Sequence, residues 1–209
     1  MKLKKNLSLS LDKFINLSLY NKDYGYYMKK NPFGKEGDFI TSPNISRLFS
    51  EMIAIWIISF WQSLGSPKKF SLIELGAGNG EMMKVLLESF KNFPLFSKSC
   101  NVYIYEKSPF LIKVQKKNLK RNKVIWISKI KKLKNEPCIF IANEFFDSIP
   151  IRQFYKKQNI WFEKFVKIGA KKNYFFDRKT EIKKIEKKIK FQKSKNQNFI
   201  EYSEKGINY

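Results

Sequence analysis

Seven consecutive residues, Glu74-Leu75-Gly76-Ala77-Gly78-Asn79-Gly80, join one acid to three alternating glycines, between the apolar run ending at Leu75 and a helical pattern starting at Glu81. Glycine suits a strand-to-helix turn where the chain reverses sharply and a ligand lies against backbone, and the N-terminus of the following helix favours electron-rich groups. The spacing is GxGxG and lacks the third-position glycine of the dinucleotide fingerprint GxGxxG. Such turns also form for tight packing alone. A second acid, Glu106, closes the next apolar run, "NVYIYE". A carboxylate there either accepts both hydroxyls of an adenosine ribose or ends an exposed strand. Asn143, Glu144 and Asp147 follow the apolar run Pro137–Ala142. Their side chains either meet a ligand or cap the next segment.

The rest of the composition narrows the chemistry. The chain contains no histidine, which removes the commonest general base and the commonest metal ligand, so carboxylates, amides, hydroxyls or backbone must do the work. Cys100 and Cys138 stand singly and outside any CxxC spacing. Neither a metal site nor a disulfide framework is expected, and a reducing compartment is. The net charge of +24 accompanies abundant Lys, Ile, Asn and Phe. Scattered lysines of this kind fit codon bias in an AT-rich genome better than a dedicated nucleic-acid surface. The apolar run Met52–Trp61 is about half of the ~20 residues that a membrane span needs. The start "MKLKKNLSLSLDKF" has no long apolar stretch ending at a cleavage site. A cytoplasmic protein, without a transmembrane segment, is expected.

These residues need elements to hold them. Ser8–Tyr20 reads as a short helix, and Tyr20–Pro43 as a long turn-rich loop of the sort that forms lids. Ser42 or Asn44 would cap a helix running through Trp61. From Phe70 the pattern alternates: strand Phe70–Leu75, helix Glu81–Phe93, strand Asn101–Glu106, helix Pro109–Arg121, strand Lys123–Ile127 and strand Pro137–Ala142. Alternation at that spacing predicts βαβ units and a parallel sheet covered by helices. After Pro150, short β-like runs punctuated by "KQN" and "GAKKN" predict an antiparallel meander. Thr180–Lys195 places Ile182, Ile185 and Ile189 on one face of a basic helix. The organisation expected is an N-terminal helical and loop extension (1–67), a cofactor-binding core (68–150), and a meander with a basic tail (151–209).

An acid with GxGxG at the first strand end, and an acid at the second, is the layout of class I S-adenosylmethionine-dependent methyltransferases. "YGYY", "NPFGKEGDFITSPNISRLFSEMIAIWI", "ELGAGNG", "YEKSP" and "ANEFFDSIPIRQF" occur in that order. Together they resemble the MidA-type family of protein arginine methyltransferases, whose mitochondrial members assist assembly of respiratory complex I. The resemblance runs from about Leu9 to Phe154. It implies an α/β, Rossmann-like parallel sheet with helices on both faces, and S-adenosylmethionine as cofactor. Glu74, Gly76, Gly78 and Gly80 would cradle the methionine part and Glu106 the ribose. Asp38, Phe39, Thr41 and Ser42 would close over cofactor or peptide. Asn143, Glu144 and Asp147 would face the acceptor.

The last assignment also has a chemical basis. Guanidinium is a planar cation with five donors, which carboxylates bind directionally. Methyl transfer to it needs one nitrogen aimed at the sulfonium methyl and the positive charge drawn toward the others, so positioning and electrostatics supply the rate. The expected function is therefore arginine N-methylation of a protein, such as a subunit of respiratory NADH dehydrogenase, with an oligomer possible. A nucleic-acid methyltransferase and an inactive assembly protein that keeps the fold are the alternatives.

The chain departs from the family in two places. Ala77 and Asn79 stand where a proline and an arginine are common. The family continues beyond "FIEYSEKGINY", and four strands can be placed where a class I sheet has seven. A sheet incomplete at the C-terminus, with its fourth strand as an open edge, is expected.

Overall fold

The structure, a computed structural model, describes residues 7–34, 37–120, 122–130 and 136–206. In chain order its elements are β1 (Ser8–Ser10), α1 (Leu11–Tyr20), α2 (Tyr26–Lys29), α3 (Ser42–Ile45), α4 (Arg47–Ser63), β2 (Phe70–Leu75), α5 (Glu81–Phe90), α6 (Pro94–Ser99) and β3 (Cys100–Tyr105). There follow α7 (Pro109–Asn118), β4 (Val124–Ile127), β5 (Cys138–Ile141), β6 (Arg152–Lys157), β7 (Ile160–Lys167), β8 (Tyr174–Lys179), α8 (Ile182–Ile189) and β9 (Phe199–Tyr202). The chain folds into two compact units, one spanning Tyr27–Phe145, the other joining the segment up to Tyr26 to that from Phe146 onward.

In the Tyr27–Phe145 unit, four strands form a parallel sheet of order β4-β3-β2-β5. Every residue of β2 is buried, as the uninterrupted apolar run predicts for a central parallel strand. Phe70, Leu72, Val102, Ile104, Ile139 and Ile141 share a core with Ala54, Ile57, Ile58 and Trp61 of α4, Met82, Met83, Leu86 and Phe90 of α5, and Phe96 of α6. The 3.6-residue period puts those helical residues on one stripe. Phe96 is the hub of the aromatic contacts, with ring centroids 4.6 Å from Phe90 and 5.4 Å from Trp61. Because β2 has β3 on one side and β5 on the other, the order reverses at β2, and the crevice at such a switch point is where open α/β sheets bind ligands. Among the described residues β5 pairs with β2 alone, so the edge expected at the fourth strand is open.

Three boundaries differ from expectation, each for a local reason. The helix from Glu81 stops at Phe90 and restarts at Pro94, because a residue before proline is driven out of the helical region, and Phe93 has φ −126° and ψ 77°. The helix expected from Ser42 to Trp61 is two, α3 and α4, broken at Ser46 (φ −137°, ψ 119°). The helix expected from Ser8 begins at Leu11, since Ser8–Ser10 pair with Phe165–Lys167 as a strand. The end expected for α7, Arg121, lies outside the described residues.

The second unit contains the predicted meander. β6, β7 and β8 pair antiparallel in sequence order, β9 joins β6, and β1 joins β7. Leu11 packs with Val166 and Ile168, with Phe14 and Ile15 of α1 against them. Ile185 packs with Phe154, Trp161 and Ile200, flanked by Ile182 and Ile189, so the isoleucine face of α8 is the packed one. Buried Glu163 accepts from Arg152 Nε and Nη2, both at 2.7 Å, and Arg152 Nη1 donates to the Tyr202 hydroxyl at 3.1 Å.

Candidate functional site

The cleft at the carboxyl ends of β2 and β5 measures about 400 Å³, counting space continuous with solvent. Its walls are Glu74 and Gly76–Asn79, Met82 on α5, Asn143 and Glu144 after β5, and Phe33, Thr41, Pro43 and Asn44 from the segment before α4. The structure thus brings Thr41, Glu74, Gly76, Gly78, Asn143 and Glu144 onto one cavity. Asp38, Ser42, Gly80 and Glu106 are outside that lining. Asp147 sits on a 3-10 turn, Phe146–Ser148, in the other unit.

The glycines are there for steric reasons. Gly76 has φ +67°, and a Cβ on it would stand 2.7 Å from Cδ2 of Phe145; Gly78 has φ +54°, and its Cβ would meet the Phe33 ring at 3.3 Å. Two aromatic rings therefore rest against bare backbone, which any larger residue would push away. Asn79 stitches the turn to the loop before α4. Its Nδ2 donates to Asn44 Oδ1 (2.9 Å), its Oδ1 accepts from Glu81 N at the start of α5 (3.1 Å), and Asn44 Nδ2 donates in turn to Thr41 Oγ1 (2.8 Å). Where the family commonly carries an arginine, an amide chain anchors this turn.

Glu74 is 2% exposed and its Oε2 has no hydrogen-bond partner. Burial, and then the nearby Glu106 charge, pushes its carboxyl up to about 8. An unpartnered buried carboxylate on a cleft wall fits a cationic ligand group, which would remove the cost of leaving it alone. Glu106 stands just past β3. Its Oε1 accepts from the backbone N–H of Lys107 (2.8 Å) and Ser108 (2.9 Å), and its Oε2 accepts from Gln115 Nε2 (3.1 Å). Burial raises its carboxyl, while the Ser108 N–H and the Gln115 amide pull the other way. Asp38 pairs with Lys30 on the surface. Ser42 is the first residue of α3.

Glu144 has φ +50°, a left-handed conformation uncommon for a side chain with a Cβ and concentrated at functional sites. Gln115 carries no sequence signal. It lies mid-helix in "KVQKKN", yet it is fully buried and holds Gly78, Glu106 and Trp126 together. Asn118, one turn on, donates to Asn79 O at 2.8 Å, so α7 grips the glycine turn twice.

Known proteins resemble this chain at the level of family and fold. A family profile described as "Putative S-adenosyl-L-methionine-dependent methyltransferase" matches residues 52–209. The chain is 33% identical over 194 positions to the mitochondrial protein arginine methyltransferase NDUFAF7 of Xenopus laevis, covering 81% of this chain and 44% of that protein. It is 32% identical over 191 positions to the mitochondrial protein of that name from Homo sapiens, covering 80% and 43%. It therefore spans less than half the length of these curated relatives. The crystal structure of a COG1565 superfamily member from Burkholderia thailandensis, described as a "likely methyl transferase" and bound to S-adenosyl-homocysteine, superposes with a TM-score of 0.77 at 21% identity, covering 96% of this chain and 53% of that one. That likeness concerns the fold.

The relatives also correct one expectation. The cytoplasmic placement read from the sequence does not stand, because these relatives are mitochondrial proteins. Low cysteine use and the absence of a secretory pattern do not distinguish the cytoplasm from other reducing interiors. On the match over residues 52–209 and the identity to these relatives, the chain belongs to this family of S-adenosyl-L-methionine-dependent methyltransferases.

Proposed function

We propose that this chain binds S-adenosylmethionine and takes part in N-methylation of arginine on a protein. The observation that carries the proposal is the single cleft that joins the glycine turn and buried Glu74 to Asn143 and Glu144 at the end of β5. When bound, the cofactor supplies a methyl group made electrophilic by a sulfonium. Gly76 and Gly78 let it approach backbone, and Gly80 begins the helix behind them. Glu74 pairs with its ammonium. Glu106, already oriented by Ser108 and Gln115, accepts from the ribose hydroxyls. Thr41 closes the wall opposite, with Asp38 and Ser42 on the same segment.

Asn143 and Glu144 carry the acceptor role, and Asp147 is assigned to it by family resemblance. The Glu144 carboxylate accepts N–H bonds from guanidinium, holds it in plane and draws its positive charge away from the reacting nitrogen. Methylated guanidinium must lose a proton, and a carboxylate at this position can receive it. The acceptor is a protein that presents arginine, with a subunit of respiratory complex I as the substrate that the resemblance suggests.

The test is transfer of labelled methyl by residues 1–209 to arginine peptides, with DNA and RNA as controls. Label on arginine, lost by at least tenfold in Glu144→Gln while S-adenosylhomocysteine still binds, supports the assignment. Label on nucleic acid, or undiminished transfer by the variant, overturns it.

A further inference from the structure

Trp126 does not line the cleft, yet its one polar atom is tied to the residues around it. The residue lies on β4, in register with Ile104 of β3, and its indole Nε1–H donates to Gln115 Oε1 at 2.9 Å. Lys116 Nζ stands over the indole face, 5.4 Å from the ring centroid, which leaves the N–H edge to Gln115. Gln115 itself is fully buried on α7. Its Nε2 has two hydrogens and two acceptors, the Gly78 carbonyl at 2.9 Å and Glu106 Oε2 at 3.1 Å. Its Cγ would lie 3.5 Å from a Cβ built on Gly80, so the side chain rests directly against the glycine turn.

The oxygen and nitrogen ends of an amide are close in size, so packing alone does not choose between them and the hydrogen-bond partners do. The Gly78 carbonyl and the Glu106 carboxylate accept, and an indole N–H only donates. Without that N–H, Oε1 is a buried acceptor left without a donor, a penalty relieved by turning the amide. Any turn that takes Oε1 to another donor takes Nε2 away from Gly78 and Glu106. Oε1 of Glu106 is already held by the N–H groups of Lys107 (2.8 Å) and Ser108 (2.9 Å), so Oε2 is the oxygen whose direction Gln115 sets. A group that reads a ligand works only as well as the shell behind it holds it still.

We propose, given Glu106 as the acceptor for the ribose hydroxyls, that Trp126 is a positioning residue for ribose recognition. Its indole N–H fixes the Gln115 amide, and that amide fixes Glu106 relative to the glycine turn. Selectivity for a ribosyl ligand is thereby set in part by a side chain on β4 that does not face the cleft.

Calorimetry with S-adenosylhomocysteine and with its 2′,3′-dideoxy analogue tests this, together with NMR hydrogen exchange at the Gln115 side-chain amide in the ligand-free protein. The wild type should prefer the hydroxylated ligand by about tenfold or more, since a site built to bond hydroxyls leaves a charged acceptor unpaired with the analogue. Trp126→Phe should remove most of that preference and speed exchange of the Gln115 amide protons by about tenfold, as an opened local structure does. Replacing Trp126 with benzothienylalanine, which keeps the shape of the indole and lacks the N–H, should do the same with the packing retained. Equal weakening for both ligands, an unchanged preference in either variant, or an unchanged exchange rate would each overturn the role of Trp126. A wild type that binds neither ligand, or both alike, overturns the ribose assignment of Glu106 and this role with it, and is told apart from a failure at Trp126 because it precedes any substitution.

Discussion

Gln115 Nε2 donates at once to the Gly78 carbonyl (2.9 Å) and to Glu106 Oε2 (3.1 Å), while its Oε1 accepts from Trp126 Nε1 (2.9 Å). One buried amide thereby sets the distance between the glycine turn on β2 and the acid after β3. Gln115→Leu takes this partner from the Gly78 carbonyl, from Oε2 of Glu106, whose Oε1 keeps the Lys107 and Ser108 N–H donors, and from the Trp126 indole N–H. Each orphaned buried group costs about 1–3 kcal/mol. A loss of several kcal/mol in urea denaturation is expected, with weaker S-adenosylhomocysteine binding by calorimetry. Gln115→Glu should also destabilise the fold and weaken binding, because it replaces the buried donor facing Glu106 with a second carboxyl group.

Glu74 makes stability depend on pH in a direction opposite to that of a paired carboxylate. Its carboxyl is raised from 4.5 to about 8 in the folded protein, so the folded state holds a proton that the unfolded state releases. Its contribution is fully present below pH ~4.5 and is lost as pH rises toward 8, by at most about 1.4 kcal/mol per unit. Glu74→Gln should flatten that slope in denaturation curves taken across the range. A cationic ligand favours the ionised form, so in the wild type its affinity should rise over the same interval, and in the variant it should not.

Gly76→Ala tests the cradle. The new Cβ would sit 2.7 Å from the Phe145 ring at a backbone φ of +67°. The two penalties separate in the double variant with Phe145→Ala, which relieves the clash and leaves the left-handed strain of about 1 kcal/mol. A single variant as stable as wild type would contradict the geometry.

In the other unit, Arg152 and Glu163 form a pair with side chains 17% and 7% exposed. Removing one partner of a buried pair costs about 3–5 kcal/mol, whereas replacing both with apolar residues is often neutral. Arg152→Met should therefore lower the melting temperature more than Arg152→Met with Glu163→Leu.

Local physics makes much of this protein legible in its sequence. The buried run Phe70–Leu75, the helical stripe on α5, the isoleucine face of α8 and the glycines that need positive φ are each set within a few residues, by side-chain period or by sterics. The acid after β3 and the polar group after β5 follow from knowing where parallel strands end. Only the tertiary structure decided the rest, because it depends on contacts remote along the chain. Ser8–Ser10 become a strand because Phe165–Lys167 offer an edge to pair with. Asn79 becomes an anchor because Asn44 reaches it. Gln115, read locally, is one polar residue on a lysine-rich helix; it is buried because Gly78, Glu106 and Trp126 converge on it, and no periodicity encodes that convergence.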